Sequence, residues 1–466
     1  MLTYVEALKE ILDNCRPLAS ESIDLKHCLR RVLATPLTSS IDLPQFNNSA
    51  VDGFGVLVED LIGASPESPV PLVLIGEVAA GSGQVAAGAG VAAGSGQLEA
   101  GAGGAAAIAG NQPHSNSIQL NPGQCVRILT GAPVPGTVEA VVMKEVCQKL
   151  DGEPETISVS AATRIGENIR LQGEEIEAGA TVLPKGTLIT PPVVGVIASL
   201  GITALDVYRV PRVAVIATGD ELIEPGLPLA EGQIYESNSY ALVAALNGLG
   251  INEVKRFHCR DTREETTRVL EEALAYADIV ISAGGVSVGE YDFVKDVCEE
   301  QGVETIFWRI AIKPGKPVYF GVANRTKEAK LVFGLPGNPV SALVTFNLFV
   351  KPAIARLQGR VINPRLFQAK AARNLKKKAG RLDFVRGTLK VLTGQRHDTA
   401  GYTQTAQRHD TKGGQASDLE VMPTVGQESH MLTGLAKADC LMHFAQDLEF
   451  LPEGDYLPVE LLSWFE

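Results

Sequence analysis

From residue 211 onward, short apolar runs alternate with longer segments of helical character, and this alternation restricts the possible folds more than any other feature. The apolar runs lie within RVAVIATG (212–219), INEVKRFHC (251–259), ADIVISAGG (277–285) and KLVFGLPGN (330–338). Helical patterns cover 238–249, 263–276, 293–300 and 340–357, with a further strand around 305–310. Strands of about five to seven residues separated by helices of about ten to fifteen predict a mainly parallel, doubly wound sheet.

Three of these apolar runs end in glycine-containing loops. They lead into TGDE (218–221), GGVSVGE (284–290) and GLPGNP (334–339). Ligands of open α/β sheets bind at the carboxyl ends of the strands, and glycine lets the backbone approach a ligand closely. Amide groups at the following helix N-termini favour an anion. A single loop of this kind is equally compatible with ordinary turn formation, but three in one domain favour a binding crevice.

Charged residues accompany the glycine loops. Lys313 and Lys316 flank a Pro-Gly turn, and Arg309 lies four positions before Lys313. Two ammonium groups on a stiff loop suit an oxyanion such as phosphate or molybdate, although an exposed basic turn is the plainer interpretation. Asp220 and Asp292 follow two of the glycine loops, and carboxylates beside a phosphate site are unfavourable unless a divalent cation bridges them. They therefore indicate Mg²⁺-dependent phosphoanhydride chemistry, with helix N-capping as the alternative.

The charge and cysteine content of the 466 residues argue against several classes of protein. A net charge of −13 and an aromatic content of 5% do not favour binding to nucleic acid or to an anionic membrane. The seven cysteines form no CxxC pair, which is typical of reduced thiols in the cytosol. Glu6, Lys9 and Glu10 stand where a signal peptide would be apolar, and no run is long enough to span a bilayer. We therefore expect a cytoplasmic protein.

The remaining chain combines a helical segment, β-rich segments and two repeats. Residues 4–15 have the apolar spacing of a helix, whereas 118–190 and the tail after 364 contain short β-like runs. VAAGSGQVAAGAG is followed directly by VAAGSGQLEAGAG (78–103), and QRHDT occurs twice within 395–413. We interpret both repeats as loop insertions without an assigned function, the second in preference to a metal site formed by His397 and His409.

Together with further segments, these loops form a set of motifs that resembles the MoeA family of molybdopterin molybdenumtransferases, whose eukaryotic relatives include the E domain of gephyrin. Seven motifs occur in the family's order between residues 43 and 342. They are LPQFNNSAVDGFGV (43–56), RILTGAPVPG (127–136), GENIRLQGEEI (166–176), ATGDEL (217–222), SAGGVSVGEYDFVK (282–295), AIKPGKP (311–317) and GLPGNPVSA (334–342).

The resemblance implies a four-part chain that works as a homodimer with an active site shared between subunits. The expected parts are an N-terminal domain split into 1–45 and 137–175, an inserted β-rich domain 46–136 with a low-complexity insertion 82–110, a MogA-like molybdopterin-binding α/β domain 176–358 and a small C-terminal β domain 359–466. The family's reaction takes adenylylated molybdopterin and molybdate, cleaves the pyrophosphate with a divalent cation, and releases AMP and molybdenum cofactor.

Residue roles also follow from the resemblance, position by position. Catalytic roles are implied for Asp52, Thr130, Glu174, Asp292 and Lys313, with Asp220 and Asp292 as metal ligands. The expected substrate-binding residues are Ser49, Arg127, Thr218, Gly219, Gly284, Gly285, Ser287, Gly289, Arg309, Lys316, Pro336, Gly337, Asn338 and Ser341. The chain has Asn47 and Val51 where the family commonly has Asp and Met, and Arg309 where a bacterial relative has Lys.

In the resulting hypothesis the α/β loops 218–221, 284–292 and 334–341 hold the pterin phosphate and the adenylate. Asp52, Thr130 and Glu174 would close the site from the opposite subunit, and a transient contact with the molybdopterin-adenylylating enzyme is a further candidate interaction. Two alternatives stay open. One is adenylylation of molybdopterin, which the terminal regions and the 43–56 motif disfavour. The other is a dimeric scaffold without catalysis, for which the charged loop residues would be unnecessary.

Overall fold

The computed structural model describes residues 1–81, 86–87, 118–285, 294–323, 329–360, 366–392 and 419–464, and these form two compact units. One unit contains residues 36–183, and the other contains 1–35 together with 184–466. The helices are α1 (Tyr4–Asn14), α2 (Pro191–Ser199), α3 (Asn238–Gly248), α4 (Arg263–Tyr276), α5 (Val294–Glu300), α6 (Pro339–Thr345), α7 (Lys351–Leu357) and α8 (Leu432–Ala436). The repeat at 395–413, and most of the repeat at 78–103, lie outside the described residues.

The unit formed by residues 36–183 contains a seven-stranded sheet. The strand order is Ala140–Met143, Gly53–Val56, Gln124–Ile128, Val70–Val78, Thr156–Val159 and Cys147–Leu150, with Ala86–Ala87 beside Val70–Val78. Shorter pairs join Asn48–Ser49 to Ile169–Arg170 and Leu37–Thr38 to Thr181–Leu183. Because Gly53–Val56 pairs with strands on both sides of position 136, the sheet joins segments that the predicted boundary at 136/137 separates.

The second unit is built around a six-stranded sheet in which four parallel strands are followed by two strands that are joined through antiparallel pairing. The order is Val254–Cys259, Val213–Thr218, Ile279–Ala283, Lys330–Leu335, Tyr319–Ala323 and Val303–Trp308. Val213 and Val215 pack with residues of α3 and α6, whereas Ala214 and Ile216 pack with residues of α4 and α5. Since alternate residues of a strand point to opposite faces, helices cover both faces of the sheet. The predicted doubly wound fold is confirmed.

Most of the predicted α/β elements occur at their expected positions. α3 and α4 match the predicted helices 238–249 and 263–276, and 340–357 lies within one continuous helix, Pro339–Leu357. That helix is long and apolar enough to cross a bilayer, but 78% of its apolar window is buried, as in the core helix of a globular unit. The antiparallel strand Tyr319–Ala323 was not predicted.

The N-terminal segment packs onto this α/β core. Thr3 and Glu6 form a reciprocal capping box that begins α1. Tyr4, Ala7 and Ile11 on one face of α1 are buried in the same apolar cluster as the α/β sheet. The spacing of these three residues places them on one side of a helix, which explains why the predicted helix at 4–15 forms here.

The C-terminal segment forms a closed β-barrel. Leu382–Val391, Leu419–Pro423, Leu366–Ala371, Tyr456–Leu461 and Cys440–Phe444 pair in that order, and the last strand pairs again with the first. Its core contains Ala371, Val421, Met442 and Val459. The strand Ile312–Lys313 adds to Leu382–Val391 in parallel, so the barrel is joined directly to the loop that carries the predicted lysines. The predicted small C-terminal β domain is confirmed, whereas its closure was not predicted.

All seven cysteines lie within the described residues and are free thiols. Burial raises the pKa of the thiols of Cys15, Cys125 and Cys298 to about 12, because the thiolate form loses its hydration. A thiol that stays protonated at neutral pH is a poor nucleophile and a poor metal ligand. These cysteines therefore act as small apolar core residues.

Candidate active site

The three glycine loops converge at the carboxyl ends of the parallel strands. The N–H of Gly284 donates to the carbonyl of Leu335 (3.0 Å). A Cβ atom placed on Gly284, whose φ is +104°, would lie 2.8 Å from Oγ1 of Thr218. One placed on Gly337 would lie 3.7 Å from the Cα of Gly284. Glycine is therefore required at 284 both for its backbone conformation and for the close packing of the first loop on the second.

Two buried polar atoms at this junction lack a hydrogen-bond partner among the described residues. They are Oγ1 of Thr218 and Oδ1 of Asn238. The Nδ2 of Asn238 donates to the carbonyl of Gly337 (2.7 Å), which places the side chain beside the third loop. A buried polar group without a partner costs about 1–3 kcal/mol, so a ligand that formed a hydrogen bond to either atom would gain stability from it.

Asp220 is exposed directly after the strand that ends at Thr218. Its predicted partner Asp292 lies outside the described residues, as do the predicted substrate-binding residues Ser287 and Gly289. Among the described residues, no group of three or more His, Cys, Asp or Glu side chains is arranged to hold a metal ion. The metal site at Asp220 and Asp292 therefore stays a prediction.

A cavity of about 610 Å³ lies between the α/β loops and the barrel. From the α/β side it is lined by five predicted residues, which are Lys313, Lys316, Pro336, Asn338 and Ser341. From the barrel side it is lined by five further cationic residues, which are Arg373, Lys376, Lys377, Arg381 and Arg386. The only acidic residues among the described lining residues are Asp383 and Glu428. This excess of positive charge suits a multiply charged anion.

The lysine turn is fixed on the α/β wall of the cavity by its glycine. Gly315 is buried with φ +102°, and a Cβ atom there would clash with Cγ2 of Thr345 in helix α6. Lys313 and Lys316, on either side, are exposed at the cavity surface. The close contact between the turn and the helix therefore presents both ammonium groups to the cavity.

On the barrel wall, a guanidinium and a carboxylate are buried. Arg386 is 1% exposed, and its Nη2 donates to the carbonyls of Gly426 (2.9 Å) and Glu428 (3.4 Å). Its Nε has no partner among the described residues, and burial lowers its pKa. Asp383 is 7% exposed, and its Oδ2 lies 3.9 Å from Nζ of Lys313. Charges removed from water in this way are stabilised by a ligand of opposite charge.

Arg309 does not line the cavity with the two lysines. Its backbone has φ +88°, a left-handed conformation that is uncommon for residues other than glycine. Its guanidinium lies over the ring of Trp308, 4.3 Å from the centroid. This position favours a cation–π contact over the predicted stabilisation of substrate charge.

In the other unit, Asp52 and Thr130 form one hydrogen-bonded group. Oδ1 of Asp52 accepts from the N–H (2.9 Å) and Oγ1 (2.7 Å) of Thr130, and Oδ2 lies 3.4 Å from Nζ of Lys144. The backbone hydrogen bond of Thr130, and next its hydroxyl, hold the pKa of Asp52 below its usual range. Asp52 is therefore an ionised carboxylate at neutral pH, and the predicted pair is brought together.

Each of the other predicted site residues of this unit makes its own local contact. Ser49 is fully buried, and its hydroxyl donates to the carbonyl of Val51 (2.7 Å), which favours a structural role in the turn. Arg127 pairs with Glu77 (3.2 Å) at the surface. Glu174 accepts from the N–H of Leu171 (2.9 Å) and closes that turn. Asn47, where the family commonly has Asp, accepts from the N–H of Gln172 (2.8 Å).

Sequence reasoning missed Asn238 and every residue of the barrel wall. Asn238 begins helix α3, and a polar residue at that place is equally typical of an ordinary helix start. The barrel residues have no loop motif around them, and Asp383 and Arg386 lie within one β-strand. Only strand pairing brings them to the lysine turn, so no local signal could have identified them.

Three family models match consecutive parts of the chain. The model of the MoeA N-terminal region (domain I and II) matches residues 2–201, and that of a probable molybdopterin binding domain matches 214–356. The model of the MoeA C-terminal region (domain IV) matches 407–462. The matches therefore extend over both compact units.

Known proteins and structures are similar to the chain over most of its length. A molybdopterin molybdenumtransferase of Haemophilus influenzae is 34% identical over 463 residues, which are 99% of this chain and 98% of that protein. One from Nostoc sp. is 35% identical over 340 residues, which are 73% of this chain and 70% of that protein. Two crystal structures of the MoeA protein of Pyrococcus horikoshii cover 99% of this chain and 99% and 100% of their own, at 28% and 26% identity, with TM-scores of 0.70 and 0.72.

Proposed function

Because this chain belongs to the MoeA family of molybdopterin molybdenumtransferases, we propose that it inserts molybdate into adenylylated molybdopterin and releases AMP, the final step of molybdenum cofactor biosynthesis. The observation that carries the proposal is the position of the cationic cavity. Pro336, Asn338 and Ser341 line the cavity and also belong to the third glycine loop and the start of helix α6. An anion in the cavity is therefore adjacent to a ligand held by the loops.

The two substrates differ in the chemistry that recognises them. The glycine loops offer backbone N–H groups to a pterin phosphate and an adenylate, together with the oxygens of Thr218 and Asn238 that have no partner among the described residues. The cavity offers ammonium and guanidinium groups to molybdate, a compact dianion. This arrangement keeps the molybdate next to the pterin phosphate.

Lys313 and Lys316 have the central catalytic role on the α/β wall. Cleavage of the phosphoanhydride develops negative charge on phosphoryl oxygens, and fixed positive charge stabilises that charge most when water is excluded. The turn around Gly315 holds both ammonium groups toward the cavity. Arg309, whose guanidinium lies over Trp308, stays a predicted contributor to this charge stabilisation.

A divalent cation such as Mg²⁺ fits Asp220 only together with a phosphate substrate. Asp220 is an exposed carboxylate beside the glycine loops, and Mg²⁺ often binds one or two carboxylates plus substrate phosphate oxygens. No larger acidic cluster stands near it among the described residues. Asp220, together with Asp292, would hold the cation, which would neutralise charge on the phosphoanhydride.

The proposal includes a cytoplasmic homodimer in which each active site draws on both subunits. Asp52, Thr130 and Glu174 would be supplied by the opposite subunit, and a transient contact would deliver substrate from the adenylylating enzyme. The support for this part is the ionised Asp52–Thr130 pair, which is exposed and has no role in the core of its own unit. The oligomeric state is tested by analytical ultracentrifugation. Mixing Asp52→Ala with Lys313→Ala subunits should restore about a quarter of the activity if the site is shared.

The deciding experiment measures AMP released from adenylylated molybdopterin, with and without molybdate and Mg²⁺. We expect release that requires both additions and yields active molybdenum cofactor. Pyrophosphate release from ATP and molybdopterin would instead indicate an adenylylating enzyme. Stable protein partners without AMP release or cofactor rescue in a molybdenum-deficient strain would indicate a scaffold.

Variants of the predicted metal ligands test the cation separately. Asp292→Ala should abolish AMP release while the circular dichroism spectrum stays unchanged, and Asp220→Asn should raise the Mg²⁺ concentration needed for half-maximal release. Asp206→Asn, at an exposed strand position outside the site, is the matched control. Undiminished turnover in Asp292→Ala would show that the metal assignment is wrong.

A further inference from the structure

We propose that Asp383 takes up a proton when an oxyanion binds in the cavity, and that its protonated carboxyl group then donates a hydrogen bond to the anion. The inference rests on the proposed function only in naming molybdate as the oxyanion. Asp383 is then a substrate-binding residue that becomes protonated when the substrate binds.

The position of Asp383 is set by the pairing of two strands. Ile312–Lys313 lies parallel to the start of Leu382–Val391, with Lys313 directly opposite Asp383. The carboxyl group lines the cavity although the residue is only 7% exposed. Its Oδ2 is 3.9 Å from Nζ of Lys313, which is too far for a hydrogen bond. The carboxylate is therefore nearly buried, open to the cavity and only loosely paired.

Charged and titratable groups face Asp383 from every neighbouring element. On its own strand and just before it lie Arg386 and Arg381, and the lysine turn carries Lys313 and Lys316. The segment 373–377 contributes Arg373, Lys376 and Lys377, and the segment 423–429 contributes Glu428. On the paired strand Cys440–Phe444, His443 lies opposite Phe384 rather than Asp383, and it pairs with Glu460 (3.1 Å). An oxyanion attracted by the cations would share the cavity with the carboxylate.

Without an anion, two opposing effects act on this carboxyl group. Burial raises the pKa of Asp383, while the charges of Lys313, Lys377 and Arg381 lower it, and burial is the larger effect. A bound dianion would neutralise those cations and would add a like charge in the same cavity. Both changes raise the pKa of Asp383 further, because the ionised form loses its stabilising partners and gains a repulsive one.

By thermodynamic linkage, protonation of Asp383 must raise the affinity for the anion by the same factor by which the bound anion raises the affinity of Asp383 for the proton. An ionised Asp383 repels the anion, whereas a protonated one supplies an additional donor. Affinity should therefore be highest below the pKa of the free protein and should weaken as pH rises through the window between the free and bound pKa values. Within that window the dissociation constant should rise by up to about tenfold per pH unit.

The test is calorimetric titration of the full-length protein with sodium molybdate, in two buffers of different ionisation enthalpy, from about pH 5 to about pH 8. The difference between buffers gives the number of protons taken up per bound anion. Asp383→Asn keeps the size and hydrogen bonding of the side chain but cannot ionise. Glu428→Gln removes the other carboxylate of the cavity lining, which is exposed, and serves as the matched control.

We expect wild-type protein and Glu428→Gln to take up a fraction of a proton that approaches one within part of this range. Asp383→Asn should take up none, and its affinity should not change with pH. Uptake that persists in Asp383→Asn would assign the proton to another group, such as the His443–Glu460 pair, and would overturn the inference. So would pH-independent binding, or no binding, in the wild type. The AMP-release assay reports on the proposed function independently of these results.

Discussion

The two walls of the cavity hold their charges in different ways. On the α/β wall, Lys313 and Lys316 are exposed on a turn that packs against helix α6 through Gly315. On the barrel wall, Asp383 and Arg386 are buried within a strand. Exposed lysines can adjust to a substrate whose charge changes, whereas buried groups are held by the backbone before any ligand arrives. The difference indicates that the lysines of the α/β wall can respond to the change of charge during the reaction. The buried groups of the barrel wall define the shape and charge of the binding site.

The largest effect should come from removing a charge of the α/β wall. Lys313→Ala should lower kcat/KM for AMP release by about 10²–10³-fold, because a donor aimed at developing charge is lost. Steady-state kinetics measure this, with Lys378→Ala, an exposed lysine outside the cavity lining, as control. A loss shared equally by both variants would mean that only overall charge matters and would remove the distinction between the walls.

The next largest effect should come from disturbing the packing of the lysine turn against helix α6, and it should appear in the free energy of unfolding. Gly315→Ala should lower the free energy of unfolding by about 2 kcal/mol, from the left-handed backbone and the clash with Thr345. Gly380→Ala is the matched control, since Gly380 has φ +107° but no atom of the described residues lies within 4 Å of an added Cβ atom. Urea denaturation should show a clearly smaller loss for Gly380→Ala. Equal losses would show that contact with the helix does not hold the turn.

The stability of the protein should depend on the hydrogen-bonding geometry of the Arg386 guanidinium as well as on its charge. Arg386→Lys keeps the charge but loses the hydrogen bonds to the carbonyls of Gly426 and Glu428. We expect the free energy of unfolding to fall by about 1.5 kcal/mol, measured by thermal or urea denaturation. Arg373→Lys, at an exposed position of the same cavity, should leave stability unchanged. If Arg386→Lys and Arg373→Lys change the free energy of unfolding equally, the barrel wall is no more preorganised than the α/β wall.

The smallest effect should come from a half-buried cation of the barrel wall. Arg381→Ala should raise the KM for molybdate about fivefold, close to 1 kcal/mol, with little change in kcat, because the other cations still attract the anion. Lys390→Ala, on the same strand but outside the cavity lining, is the control. A fall in kcat instead of a rise in KM would place Arg381 with the residues that act on the reaction.

Much of the fold could be predicted because its signals are local. The alternating strands and helices of the α/β unit, helix α1 and the β-rich tail each follow from patterns within a few turns of chain. The strand Tyr319–Ala323 was missed because it follows directly on the proline-rich lysine turn and has no helix before it. The closure of the barrel depends on pairing Leu382–Val391 with Cys440–Phe444, far apart in the sequence, and no local pattern specifies that register.

The candidate site could be predicted only in part, for the same reason. Thr218, Gly284 and Lys313 lie in contiguous loops of glycine, proline and charged residues, which are unusual enough to be noticed. Ser49, predicted to bind substrate, is buried in a turn, and Arg309, predicted to stabilise substrate charge, lies over Trp308. Both roles stay predictions. A residue type reveals what chemistry a side chain can perform, whereas its surroundings decide whether it meets the substrate.

By itself, the amino-acid sequence determined that parallel strands would end in glycine loops and that two lysines would stand on a rigid turn near them. These properties reside in neighbouring residues, whose backbone preferences act over short distances. Only the tertiary structure decided that a barrel strand would supply Asp383 and Arg386 to the same cavity, and that Asn238 would bond to the loop at Gly337. Such contacts depend on which distant segments pair and on which side of a strand faces inward. Both are determined by the burial of apolar surface throughout the core.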